Sequence, residues 1–154
     1  MNKKGQAALE YLMTYGWALI VIAIVVGVLV FIVAAPTGNV RCSSSDPTKL
    51  NVVSNNIGAS TAAGDLVITN TSGGEMTDVT IAESDAFGAI TTVDGSAWTD
   101  GTTDLSVGNH TITVPATTTA GTYSSGTLDF TYTDPTGLSQ SASITCQGIS
   151  LTVT

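Results

Sequence analysis

Leu128-Asp129-Phe130-Thr131-Tyr132-Thr133 alternates apolar and polar residues without a break. Successive side chains of a β-strand point to opposite faces, so Leu128, Phe130 and Tyr132 share one face while Asp129, Thr131 and Thr133 share the other. A strand patterned this way covers a core on one side only and needs neighbours of the same kind. Residues 126–133 therefore read as a core-facing strand. The Asp134-Pro135-Thr136-Gly137 that follows supplies the turn chemistry to end it.

On both sides of this stretch the chain repeats the pattern. Short runs rich in Val, Ile, Thr, Phe and Tyr are separated by Ser72-Gly73-Gly74, Asp94-Gly95, Asp100-Gly101 and Gly108-Asn109. Strands are expected over 50–57, 65–70, 77–82, 89–93, 110–114, 126–133 and 140–146, with a last one over 149–153. Seven or eight short strands at this spacing predict an antiparallel sandwich. No helical periodicity follows residue 50. Trp98 lies in the turn-rich stretch 93–103, and the pattern there leaves its burial open. Residues 37–49 hold Gly, Ser, Asp and Pro with little apolar content and read as a linker.

Upstream the composition inverts. Charged residues make up only 10 % of the chain, mean hydropathy is +0.34, and that hydrophobicity is concentrated at the N-terminus. Tyr11 to Ala35 contains no charge, and Trp17 to Ala35 is an unbroken apolar run, WALIVIAIVVGVLVFIVAA. By length such a run suits a bilayer of ~30 Å hydrocarbon thickness. One helix is expected over residues 6–36, closed by Pro36, which cannot continue a helix. The expected fold class is thus α+β: a long N-terminal hydrophobic α-helix followed by an all-β antiparallel immunoglobulin-like sandwich over 50–154.

Lys3 and Lys4 precede the apolar run, and only Arg41 and Lys49 follow it. The positive-inside bias places residues 1–5 in the cytoplasm and the acidic C-terminal part outside. An acidic domain is a poor partner for nucleic acid. The two cysteines, Cys42 and Cys146, lie on the exported side, where a disulfide is favoured over the alternative of two unpaired buried thiols. Asn70-Thr71-Ser72 and Asn109-His110-Thr111 satisfy the N-glycosylation pattern. Asn70 and Asn109 are candidate acceptors.

Enzymatic readings find little support. His110 is the only histidine and sits in an expected strand, no G-x-S-x-G occurs, and no Cys/His spacing suits zinc. No catalytic residue, cofactor or metal site is assigned. Asp94, Asp100 and Asp104 read as solvated turn acids ahead of a calcium loop.

The residues Lys3-Lys4-Gly5-Gln6-Ala7-Ala8-Leu9-Glu10-Tyr11-Leu12 differ from an ordinary signal peptide, which is cut after its apolar region. They resemble the type III signal peptide of archaeal type IV pilins. The resemblance is specific over residues 3–35 and only architectural beyond, although Tyr123 to Gly148 looks like the closing strands of other archaeal pilin domains. It implies a cut between Gly5 and Gln6 by a prepilin peptidase, with residues 1–5 removed as a basic leader. Glu10 then becomes the fifth mature residue, the position of a glutamate found in many type IV pilins, where a neighbouring subunit's new amine can pair with it. A mature start at glutamine departs from bacterial pilins, which commonly start with phenylalanine.

The resemblance implies a self-assembling helical homopolymer. Its partners are the peptidase and pilus assembly machinery, with the cytoplasmic membrane as its location before assembly and an extracellular, adhesive filament afterwards. Two alternatives stay open: a single-pass anchored surface-binding module, which needs no cut at Gly5, and a minor pilin.

Overall fold

The computed structural model describes Glu10, Tyr11, Met13, residues 15–26 and residues 39–154. The chain divides into two compact units, one ending at Thr37 and the other starting at Gly38. In the first, Glu10, Tyr11, Met13 and residues 15–26 are helical.

This corrects the expected fold class. Residues 15–26 rise only ~18 Å as a helix, against ~30 Å of hydrocarbon. Among the described residues no helix is long and apolar enough to cross a membrane. Hydropathy counts residues that avoid water, whereas helix length depends on an unbroken series of i to i−4 hydrogen bonds. The parts of the expected helix at 6–9, 12, 14 and 27–36 lie outside the described residues.

The second unit is all β. Ten strands form two five-stranded sheets: β1 Arg41–Ser44, β2 Leu50–Asn55, β3 Gly64–Asn70, β4 Met76–Asp85, β5 Thr92–Val93, β6 Ser96–Ala97, β7 Thr103–Leu105, β8 Gly108–Val114, β9 Gly121–Thr133 and β10 Ser139–Val153. The strand orders are β1-β10-β9-β4-β7 and β2-β3-β8-β5-β6, and neighbours run antiparallel throughout. The sandwich expectation holds. The order differs from the immunoglobulin scheme, in which the first strand pairs with the second; here β1 pairs with the last strand, β10. Strand β1 also falls inside the stretch read as a linker.

The alternation on β9 works as expected: Leu128, Phe130 and Tyr132 are buried while Asp129 and Thr131 are exposed. Strand β10 sets Ala142 opposite Phe130, Ile144 opposite Leu128 and Cys146 opposite Gly126, and all three are buried. From the other sheet Leu66, Ile68 and Ile112 are fully buried and complete one continuous core. Phe87 lies on this core so close to β9 that a Cβ at Gly126 would stand 2.7 Å from its ring. Only glycine fits there.

Turns follow their residues. Asp94 and Gly95 adopt φ of 53° and 73° between the paired Val93 and Ser96, the two-residue hairpin turn that Asp-Gly favours. Asp134 Oδ1 accepts the Thr136 N–H (2.8 Å) and the Leu138 N–H (3.1 Å), closing the β9–β10 hairpin. Trp98 is buried, and its Nε1–H donates to Asp100 Oδ1 at 2.9 Å. The expected strand over 89–93 shortens to Thr92–Val93, and the expected strands over 140–146 and 149–153 are one strand with a register shift between Gln147 and Leu151.

Candidate functional site

Three places in the chain hold the residues with functional expectations attached. The first is the N-terminal helix. Gly5 and Gln6, the expected cleavage pair, lie outside the described residues, while Glu10 is helical and exposed. Tyr11 and Tyr15, one helical turn apart, stack with ring centroids 4.4 Å apart. The apolar side chains of this helix are exposed all round: Trp17 at 70 %, Leu19 at 65 %, Ile22 at 58 % and Ile24 at 60 %. An amphipathic helix would bury one stripe and wet the other; this one has no polar stripe to wet.

The second place is the start of the sandwich. Cys42 on β1 stands directly opposite Cys146 on β10, Cα–Cα 3.9 Å, and the two form the expected disulfide. Val40, just before β1, is buried. Gly148, at φ 86°, lets β10 bulge beside it: a Cβ there would lie 3.2 Å from the Asn39 carbonyl oxygen. A bridge spanning 104 residues of sequence restricts the unfolded chain enough to stabilise the fold by about 4–5 kcal/mol in the chain-entropy view.

The third place is one end of the sandwich, where three turns meet. Asn70, at the end of β3, is only 1 % exposed. Its Nδ2 donates to the carbonyls of Gly74 (2.9 Å), Leu105 (2.9 Å) and Ser106 (3.2 Å), and its Oδ1 accepts the Ser72 N–H (2.9 Å) and hydroxyl (2.7 Å). The amide nitrogen of the candidate acceptor Asn70 is thus a buried structural donor in the folded domain. Asn109, the other candidate, is exposed on β8, and its Oδ1 accepts the Thr69 hydroxyl.

His110, next to Asn109 but on the opposite face, is buried. Its Nδ1 lies 2.6 Å from Asp94 Oδ2 and its Nε2 lies 2.8 Å from the Ser106 carbonyl oxygen. Asp94 also accepts the Thr111 N–H at 2.7 Å. Burial alone would raise the Asp94 carboxyl, but the Thr111 N–H and the His110 ring outweigh it and hold that group below the usual carboxylate range. Sequence reasoning missed this pair. Asp94-Gly95 announces a turn, but only the pairing of β5 with β8 brings that turn to His110.

Asp100 and Asp104 are not brought to Asp94. Asp100 Oδ1 accepts the Ile81 N–H (2.9 Å) besides Trp98, and Asp104 Oδ1 accepts the Asp78 N–H (3.2 Å). Among the described residues no three His, Cys, Asp or Glu side chains are grouped to hold a metal ion. An open depression of about 490 Å³ is lined by Glu83, Phe87, Gly88, Pro115 and Thr117 among others. Its carboxylate, Glu83, is engaged through Oε1 with the Ile90 N–H at 2.7 Å. No protein-family model, curated protein or solved structure matches this chain.

Proposed function

We propose that this chain is a structural subunit of an extracellular filament of the type IV pilus kind, held together by its N-terminal apolar segment and coated by its β-sandwiches. The observation that carries this is the all-round exposure of Trp17, Leu19, Ile22 and Ile24 on a chain whose C-terminal part buries its own core. Apolar surface left in water costs ~25 cal/mol per Å², so even ~1,000 Å² costs about 25 kcal/mol. Such a surface requires a cover, first lipid and then equivalent segments of other copies.

The basic leader Lys3-Lys4-Gly5 ahead of this segment supports removal of residues 1–5 before assembly, because two lysines inside a bundle of apolar segments would be strongly unfavourable. Removal creates an amine at Gln6 four residues from Glu10. In the filament a neighbour's amine pairs with that carboxylate and selects one register among the otherwise featureless apolar contacts. The peptidase and the assembly machinery are the partners this scheme requires, and surface adhesion is the proposed use. A glycan at Asn109 would lie on the exposed face of the sandwich.

The test is intact-mass and N-terminal peptide analysis of protein sheared from cells. A chain starting at Gln6 that pellets with filaments is expected. A chain starting at Met1 or Asn2 and confined to membranes would replace the filament subunit with an anchored surface module.

A further inference from the structure

We propose that the bond between Cys42 and Cys146 is a mechanical latch: tension reaching the sandwich from the N-terminal segment passes through it into β10 and is kept off β1 and the strands that follow. Cys42 is the second residue of β1, so the chain meets the bond almost as soon as it enters the sandwich. Of the register pairs between β1 and β10, Arg41 with Gln147 stands ahead of the bond, while Ser43 with Thr145 and Ser44 with Ile144 lie behind it. Strands β2 to β9 lie between the two cysteines in sequence. Force entering at Cys42 reaches β10 without crossing any of them.

The attachment that the bond reinforces is short. Strand β1 has 4 residues and lies at the end of its sheet, so main-chain pairing fastens it on one side. Ser45 lengthens that pairing by one place: its N–H donates to the Ser143 carbonyl at 2.8 Å, and its hydroxyl oxygen accepts the Ser143 N–H at 2.9 Å. The buried Val40 adds an apolar anchor just ahead of the strand. Pulled apart in water, such hydrogen bonds are replaced by others of similar strength; a covalent bond is not. Strand β10 is placed differently. It has 15 residues, is flanked by β1 and β9, and pairs with β9 from Ser139 to Gln147 without a register shift. Cys146 is fully buried on it, so force delivered there arrives inside the sheet and not at its edge.

The need for a latch rests on the filament reading proposed above, because a subunit held by its N-terminal segment and touched through its sandwich is pulled between the two. The path of the force rests on strand register and the bond alone. Strands β1 and β10 run antiparallel, and Leu138, exposed in the β9–β10 turn, lies beyond the end of β10 at which Ser44 meets Ile144. Tension between residues 39 and 138 therefore drags β1 lengthwise along β10 and loads all of its pairs together. Peeling from one end would load them one at a time. The lengthwise pull is thus the direction in which β1 resists best without the bond.

Optical tweezers on the full chain in detergent micelles test this, with azide-bearing residues in place of the exposed Asn39 and Leu138 as sites for the handles. A stabilising osmolyte keeps a cysteine-free variant folded at zero force. With both cysteines present, the stretched chain between the handles should not exceed about 45 Å, since it runs from residue 39 to the bond and back from Cys146 to residue 138. Replacing both cysteines by Ala should let it reach about 350 Å. In that variant β1 and its turn should come away first, as a separate step of about 40 Å, at a lower force than the rest of the sandwich. Wild-type extension beyond the shorter limit overturns the proposal, whether or not the variant folds. So does a variant that keeps its folded length until the whole sandwich opens in one step. Filament formation is read separately by N-terminal analysis of sheared protein, so either reading can fail without the other.

Discussion

Residues 15–26 and the sandwich are built from much the same apolar residues and dispose of them in opposite ways. In the helix Ile20, Ile22, Val25 and Val26 are each more than half exposed, whereas Leu66, Ile68, Val79 and Ile112 in the sandwich are at 0 %. Alternation makes the difference. A strand that is apolar on every second residue can turn one face to its partners and the other to water, so the chain hides its own core. A run that is apolar at every position has no face for water, and cover must come from lipid or other chains. Self-sufficiency in one region and dependence in the other fit the filament subunit proposed above.

The largest expected effect strikes the dependent region. Ile22→Asp should abolish pelleting filaments while leaving the thermal transition of the sandwich where it is, since a buried unpaired carboxylate strongly opposes packing. Filaments formed in normal yield would break the contrast, because the apolar surface would then not be the assembly element. Next comes closure of the sandwich. Replacing both Cys42 and Cys146 by Ala should lower unfolding free energy by about 4–5 kcal/mol, measured by urea titration. A loss under about 1 kcal/mol would show that the β1–β10 pairing needs no covalent help.

The contrast sharpens further at the two sequons. Asn70→Ala should destabilise the sandwich by about 2–3 kcal/mol, since it leaves the Gly74, Leu105 and Ser106 carbonyls without their buried donor. Asn109→Gln should change stability by less than about 0.5 kcal/mol and remove whatever glycan mass the domain carries. A glycan peptide mapped to Asn70 would overturn this assignment.

The smallest effect is acid sensitivity. Asp46 is held below the usual carboxylate range by the Thr48 hydroxyl, Asp94 by the Thr111 N–H and His110 against the opposing effect of burial, and Asp134 by the Thr136 hydroxyl. A carboxyl lower in the folded than in the unfolded state adds stability above its unfolded value of 3.8, and that stability is lost as pH falls through the folded value. The urea midpoint should decline as the pH drops below about 4. A flat midpoint down to pH 2 would mean that these turns contribute nothing through charge.

Much of the sandwich was legible because its signals are local. Leu128, Phe130 and Tyr132 state their face by spacing alone, and Asp94-Gly95 and Asp134 to Gly137 state their turns by the conformations those residues favour. Strand β1 was not legible: Arg41-Cys42-Ser43-Ser44 has no apolar alternation and becomes a strand by pairing with β10, about a hundred residues away. The short β7 was hidden for a similar reason, since it pairs with β4 across the intervening β5–β6 hairpin. Trp98 could not be placed because its burial depends on Asp100 capturing its indole N–H.

By itself, then, the sequence determined a uniformly apolar segment ahead of an alternating, acidic, two-cysteine domain. These are statements about which residues avoid water, and spacing alone carries them. Only the tertiary structure decided that β1 closes on β10, that Asn70 is an internal strut while Asn109 faces outward, and that His110 meets Asp94 and Ser106. Each depends on strand register, which joins residues far apart in the chain through backbone hydrogen bonds that all residue types share and composition therefore does not encode.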